Sequence, residues 1–235
     1  EVDEVTLSQV AVNSANLIEG MQIKGVLGRF FLQSHGVDLS NETAVVNRTE
    51  LSDTHIQLLM TDTTTTPKDT TASAPVNWKV NLHQLKLKNV SFGMKLPADS
   101  MKMAAYIGEA TIDDAKADLK NQFYGLKQFL LSGASASYDT GEAQPSEGFD
   151  ASHMAVRNIR IGLDSLLYEG RNMNAVIREI TMEERSGLSI TSLTGRLFSN
   201  DSIIRIPELK LQTPHSEIDL SAQTYWELVN IPTTG

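Results

Sequence analysis

The chain has 235 residues, with 29 acidic against 20 basic side chains, so its formal net charge is −9 at neutral pH. This acidic balance disfavours a nucleic-acid-binding protein, because DNA and RNA are held chiefly by cationic side chains. Apolar residues make up 40% of the sequence, which is enough to support a folded domain and excludes disorder throughout. The sequence contains no cysteine, which excludes disulfides, thiol catalysis and cysteine-ligated metals.

Two polar segments separate three patterned blocks along the chain. The segment 61–76 is rich in threonine and proline, and the segment 140–150 combines glycine, proline and acidic residues, so neither has an apolar face to bury. We therefore predict a partial β-repeat unit over 1–60, a loop over 61–76, a second unit over 77–139, a loop over 140–150 and a third unit over 151–235.

Short matches between the second and third blocks indicate an internal repeat. Residues 105–112 (AYIGEATI) resemble 175–182 (AVIREITM), and residues 89–93 (NVSFG) resemble 158–162 (NIRIG). The matches occur in the same order in both blocks, as expected of a repeated supersecondary unit.

Within the blocks, apolar residues alternate with polar ones at a period of two, which is the period of a β-strand. Turn signals such as Glu169-Gly170 and Ser186-Gly187 recur about every ten residues, which predicts about fifteen short antiparallel strands. The best helical candidate is 113–123, but the repeat places it opposite a turn, so we predict strand-turn-strand there. The expected fold is all-β with little helix, a long curled antiparallel sheet shaped as a trough or taco.

One-sided alternation gives each strand one apolar face, and the strands together should present a common apolar lining. The residues predicted to form it are Val90, Phe92, Met94, Met103, Ile107, Ile159, Ile161, Met173, Ile177, Ile190 and Ile206. The pattern alone leaves open whether this face closes into a packed core or remains an apolar groove.

Catalytic and metal-binding signatures are missing from the sequence. The five histidines, at positions 35, 55, 83, 153 and 215, show no metal-ligand spacing, and no motif suggests a nucleophile or a phosphate-binding loop. We predict no metal, no cofactor and no enzymatic activity. No stretch reaches the roughly 18 consecutive apolar residues of a membrane span.

The third block carries a family resemblance. The succession 156–170 (VRNIRIGLDSLLYEG) and 173–188 (MNAVIREITMEERSGL), extended through 190–197 and 206–216, resembles the AsmA-like/TamB superfamily, especially its Bacteroidetes branch. The resemblance covers most of 77–226 and rests on spacing and alternation.

The resemblance implies a bridge-like lipid transfer protein of the cell envelope, with a periplasmic β-trough and an inner-membrane anchor upstream of this segment. The implied function is phospholipid transport between membranes or assembly of outer-membrane proteins. The implied ligand is phospholipid, and the implied partner is an Omp85-type outer-membrane protein that contacts regions outside this segment. The alternative is a structural or adhesive β-repeat protein whose apolar faces close into a dry core.

Overall fold

A computed structural model describes residues 3–16, 20–61, 77–141 and 144–229 of the chain. These residues form twelve β-strands, a 3-10 turn at Pro97–Asp99 and a four-residue helical turn at Trp226–Val229. All twelve strands belong to one sheet. The predicted all-β class and the large, mostly antiparallel sheet are confirmed.

The strands follow the chain order almost without exception across the sheet. They are β1 (Glu4–Asn16), β2 (Met21–Asp38), β3 (Thr43–Met60), β4 (Lys79–Leu96), β5 (Met101–Asp118), β6 (Phe123–Leu126), β7 (Gln128–Asp139), β8 (His153–Glu169), β9 (Asn172–Glu184), β10 (Ser189–Ser199), β11 (Ile203–Gln212) and β12 (Glu217–Tyr225). The short β6 and the longer β7 share one position in the sheet, because both lie between β5 and β8.

One pair of neighbours departs from the antiparallel pattern. Strands β3 and β4 are parallel, with Thr43 beside Lys79 and Leu59 beside Lys95. Every other pair in the described part of the chain is antiparallel. A neighbour spacing of about 4.8 Å gives a sheet roughly 50 Å across its strands.

The strands are longer and fewer than the sequence pattern predicts, and the reason lies inside each strand. Strands β2 to β5 each have 18 residues. In β4 the apolar residues Leu85 and Leu87 occupy odd positions, and those from Val90 onward occupy even positions. Between them Asn89 has a left-handed backbone with φ of 51°. The pattern therefore reads as two short strands although the backbone forms one bent strand.

Left-handed residues and glycines line up across the sheet in a row that we call the crease. The strand register aligns one residue of each strand in this row. From β1 to β8, leaving out the short β6, the row consists of Gln9, Gly28, Asp53, Asn89, Gly108, Gly133 and Asn158. Five members of the crease have φ between 50° and 61°, namely Gln9, Asp53, Asn89, Gly133 and Asn158. Each shifts the side-chain alternation by one residue, so the apolar residues on both sides of the crease stay on one face.

Glycine is required at the other crease positions by close backbone approach. A Cβ atom on Gly28 would lie 2.5 Å from the Asp53 carbonyl oxygen and 2.8 Å from its Cβ. A Cβ atom on Gly108 would lie 2.9 Å from the Ser132 carbonyl oxygen. The side chains next to the crease are small and buried: Thr54 is 2% exposed and Ala134 is 5% exposed.

The two copies of the proposed repeat have the same backbone bend at the crease, but their strands pair in different registers. Asn89 and Asn158, which the repeat pairs, both have left-handed backbones. Val90 lies opposite Ile107, whereas Ile177, the repeat counterpart of Ile107, lies opposite Leu163. The two hairpins therefore share a bend but place different residues across from each other.

Three predicted segments have distinct outcomes. The 113–123 segment is strand-turn-strand, as predicted, since β5 ends at Asp118 and β6 begins at Phe123. In the predicted loop 140–150, the described positions 140–141 and 144–150 form no regular strand or helix. The predicted loop 61–76 lies outside the described residues except for position 61.

Candidate functional site

The first candidate surface is the apolar face of the sheet, which is assembled from cross-strand pairs. Val90 lies opposite Ile107 and Met94 lies opposite Met103 in the β4–β5 hairpin. Ile161 lies opposite Ile180 in β9. Paired residues on neighbouring strands share a face, so these side chains form one continuous surface.

Register places all eleven residues of the predicted lining on this apolar face. They form a band across β4, β5, β8, β9, β10 and β11, consisting of Val90, Phe92, Met94, Met103, Ile107, Ile159, Ile161, Met173, Ile177, Ile190 and Ile206. The residues of β4 and β5 are separated from those of β8 by β7, which contributes Ala134 and Ala136 between them.

Part of this face was not predicted from the sequence. Strands β2 and β3 contribute Leu27, Thr54, Ile56 and Leu58, which the register places in line with the apolar residues of β4. A sequence feature that indicates them is a spacing of three positions between successive apolar residues, as between Leu27 and Phe30, where strict alternation gives two. The same spacing recurs in neighbouring strands wherever they cross the crease.

In the described residues, nothing covers the apolar face. Among the described residues, the only fully buried hydrophobic ones are four alanines, at positions 44, 110, 134 and 175. Large side chains of the face stay partly exposed: Phe92 is 40% exposed and Met103 is 39% exposed. Extensive contacts between elements link neighbouring strands, and in the part of the chain that the structure describes no second layer packs on the sheet. In a two-layer fold, residues of this size would be sealed between the layers.

The second candidate surface is a cavity of about 1220 Å³ on the opposite face. Residues 91–95 of β4 border it, and among them Ser91, Gly93 and Lys95 lie on this face. Their cross-strand partners in β5 are Tyr106, Ala104 and Lys102, and all three also line the cavity. The sheet is curved enough that Gln22 of β2 and Ser189 of β10 border the same cavity.

Only three residues of the predicted lining border this cavity, namely Phe92, Met94 and Met103. The residues that alternate with the apolar set were predicted to form a solvated polar face, and no site was predicted there. A concave shape on that face depends on the curvature of the whole sheet, which local alternation does not encode.

A short hydrogen-bonded chain joins the crease to the wall of the cavity. The Asn89 amide donates to an Asp53 carboxylate oxygen at 2.9 Å, and the Tyr106 hydroxyl donates to the Asn89 side-chain oxygen at 3.2 Å. His55 Nδ1 lies 2.6 Å from the Ser91 hydroxyl. These contacts fix polar side chains of three neighbouring strands at one edge of the cavity.

Two carboxylates at the other edge of the cavity region are held in their charged form. Asp150 accepts hydrogen bonds from the Ser146 and Ser152 backbone N–H groups, and its carboxylate lies 3.0 Å from His153 Nδ1. The Ser146 backbone N–H is the main cause of the lowered pKa of Asp150. Glu184 also has a lowered pKa, chiefly because Ser186 donates to its carboxylate.

The described residues contain no group of three or more histidine and acidic side chains placed to hold a metal ion. Within the same residues, no helix has the length and apolar character needed to cross a bilayer.

Comparisons with known proteins give no family for this chain. No protein-family model matches the sequence, and none of the curated proteins matches it significantly. The AsmA-like/TamB resemblance therefore stays a prediction that rests on the residues quoted for it.

Proposed function

We propose that this chain is a segment of a non-enzymatic lipid-conducting protein of the cell envelope, in which the apolar face carries phospholipid acyl chains. The observation that carries the proposal is the exposure of that face across the sheet. Phe92, Met103 and Ile56 each remain more than a third exposed although they lie in central strands. An exposed apolar surface of this extent is typical of a binding surface.

The energetics of acyl-chain burial are sufficient for this role. Each methylene that leaves water contributes about 0.8 kcal/mol, so a chain of about sixteen carbons gains roughly 12 kcal/mol. Burial of hydrocarbon has no directional requirement, and a uniform apolar band would let a chain slide without being held at one point. Transport between the two membranes of an envelope, an upstream inner-membrane anchor and an Omp85-type partner belong to the same proposal and rest on the family resemblance.

The experiment compares phospholipid bound to the purified chain and to two variants. In Ile161→Glu a charge replaces an apolar side chain of the face, while in Thr181→Glu the same charge is placed on the opposite face, in the neighbouring strand. Because Arg160 is the register partner of Thr181, the control charge is well tolerated. We expect co-purified phospholipid, measured by mass spectrometry of an organic extract, to fall at least fivefold in Ile161→Glu only.

Two results would contradict the proposal. The first is an extract of the unaltered chain that contains no phospholipid, together with no uptake of a fluorescent phospholipid. The second is unfolding of Ile161→Glu, seen by circular dichroism, because a charge unfolds a protein when it enters a sealed core and not when it lies on an open face.

A further inference from the structure

The cavity on the polar face differs in charge from the rest of the chain. Five cationic side chains line it, which are Lys24, Lys95, Lys102, Arg157 and Arg185, against the three acidic side chains of Asp139, Glu183 and Glu184. The cavity therefore has an excess of two positive charges in a chain whose net charge is −9. A cationic concave surface on an acidic protein favours an anionic ligand.

Most of the acidic charge in the cavity is already engaged. Glu183 forms an ion pair with Arg157 at 3.0 Å and accepts a hydrogen bond from Asn158. Glu184 accepts hydrogen bonds from the backbone N–H groups of Ala155 and Ser186. The third acid, Asp139, lies across from Lys102 in the register. With Arg157 paired to Glu183, four cationic side chains remain against Asp139 and Glu184, so the excess of two positive charges is shared by the three lysines and Arg185.

Two of the lysines directly face each other. Lys95 and Lys102 are register partners in the β4–β5 hairpin, and both are exposed. Within the described part of the chain, neither ammonium group forms an ion pair. Like charges directly opposite each other in a sheet destabilise the pairing. An anion bound between them would reverse that effect.

The floor of the cavity has room for an extended apolar group. The row next to the lysines consists of Gly93, Ala104, Ser137 and Ala155, which are successive register partners across β4, β5, β7 and β8. A Cβ atom on Gly93 would meet nothing closer than 3.9 Å. The side chains of Leu59, Tyr106 and Leu188 supply apolar surface around this floor.

We propose that this cavity binds an anionic amphiphile, with its phosphate group between Lys95 and Lys102 and its hydrocarbon chain along the floor of small residues. Charge complementarity selects the anion, and the floor accommodates the chain. The site lies on the face opposite the proposed lipid-conducting face, so the two proposals can be tested independently.

The test measures binding of dodecyl phosphate by isothermal titration calorimetry, below its micelle-forming concentration. Dodecyl maltoside provides the same chain with a neutral head group, and inorganic phosphate provides the head group alone. The test variant is Lys95→Glu/Lys102→Glu. The matched control is Lys116→Glu/Lys120→Glu, which changes the net charge equally at two exposed positions outside the cavity lining.

We expect dodecyl phosphate to bind at least tenfold more tightly than dodecyl maltoside and inorganic phosphate. Lys95→Glu/Lys102→Glu should abolish this preference, and Lys116→Glu/Lys120→Glu should leave it within twofold. The single variant Lys95→Glu should also raise the melting temperature, because it replaces a repulsive pair by an attractive one.

Three results would overturn the proposal. Equal affinity for the two amphiphiles would remove the role of the anionic group. Equal affinity for dodecyl phosphate and inorganic phosphate would remove the role of the chain. An equal loss in both double variants would mean that the net charge of the protein governs binding and the cavity does not. The failure of the lipid-conducting proposal is distinguishable, since Ile161→Glu should reduce co-purified phospholipid while leaving the preference for dodecyl phosphate intact.

Discussion

The two faces of this sheet differ in chemical character and in shape. On the apolar face, cross-strand pairs such as Val90 and Ile107 give an apolar surface that extends over most of the strands. On the polar face, curvature brings charged and hydroxyl-bearing side chains of β2 through β10 around one cavity. A single layer of strands can therefore present an extended apolar surface and a localised polar site at once, because successive side chains point to opposite faces.

The crease is what keeps the two faces distinct. Without the shift at Asn89, the alternation would carry Val90, Phe92 and Met94 onto the polar face and place Ser91 and Lys95 on the apolar one. Residues with a positive φ make the same shift in β1, β3, β7 and β8, at Gln9, Asp53, Gly133 and Asn158.

The largest expected effect on stability comes from filling the crease. Gly28→Ala would place a methyl group against the Asp53 backbone, and we expect it to lower the free energy of unfolding by about 1–3 kcal/mol. For a chain of this size the melting temperature should fall by roughly 2–4 °C per kcal/mol, measured by calorimetry.

The matched control lies in the same strand. A Cβ atom on Gly36 would meet nothing within 4 Å, so Gly36→Ala should be neutral or should raise stability by up to about 1 kcal/mol. If the two variants had the same free energy of unfolding, the close backbone contact at Gly28 would not be needed to hold the crease.

A smaller effect is expected at the edge of the polar face when the pH falls. The pKa of Asp150 is lowered in the folded chain, so its contribution to stability is complete above its unfolded pKa and is lost as acidification protonates the folded carboxylate. Asp150→Asn should lower the melting temperature at neutral pH and should reduce the further loss that the unaltered chain shows as the pH falls below about 5.

The control for this pH series is Asp219→Asn, at an exposed position of the edge strand β12. Its melting temperature should follow that of the unaltered chain across the same pH range. An Asp150→Asn profile parallel to that of the unaltered chain would show that Asp150 does not stabilise this edge of the sheet.

Much of the fold followed from the sequence because alternation with a period of two is a local property. The alternation of Ile159 and Ile161 with polar neighbours predicts a strand, and the turn signal Glu169-Gly170 predicts where that strand ends. The parallel pairing of β3 with β4 did not follow, because it joins strands whose connection, 61–78, carries no signal of direction. The strand count was also wrong, because a left-handed Asn89 or Asn158 inside a strand gives the same sequence pattern as a break between two strands.

The two candidate surfaces differ in how far the sequence could anticipate them. Alternation within each strand is enough to group the eleven predicted apolar residues on one face, but the contribution of β2 and β3 to that face was missed. The cavity was not predicted, because Lys24, Lys102 and Arg185 come together only when the sheet curves, and curvature arises from the twist of many strands.

The most direct experiment measures which face of the sheet contacts phospholipid. Because the chain has no cysteine, the single-cysteine variants Ile161→Cys and Arg160→Cys can be labelled with the same small fluorophore on adjacent residues of β8. Quenching by a brominated, zwitterionic phospholipid is then measured for each variant. If the apolar face carries the acyl chains, quenching is strong at position 161 and weak at position 160. Equal quenching at both positions, or stronger quenching at 160, would mean that the apolar face does not carry them.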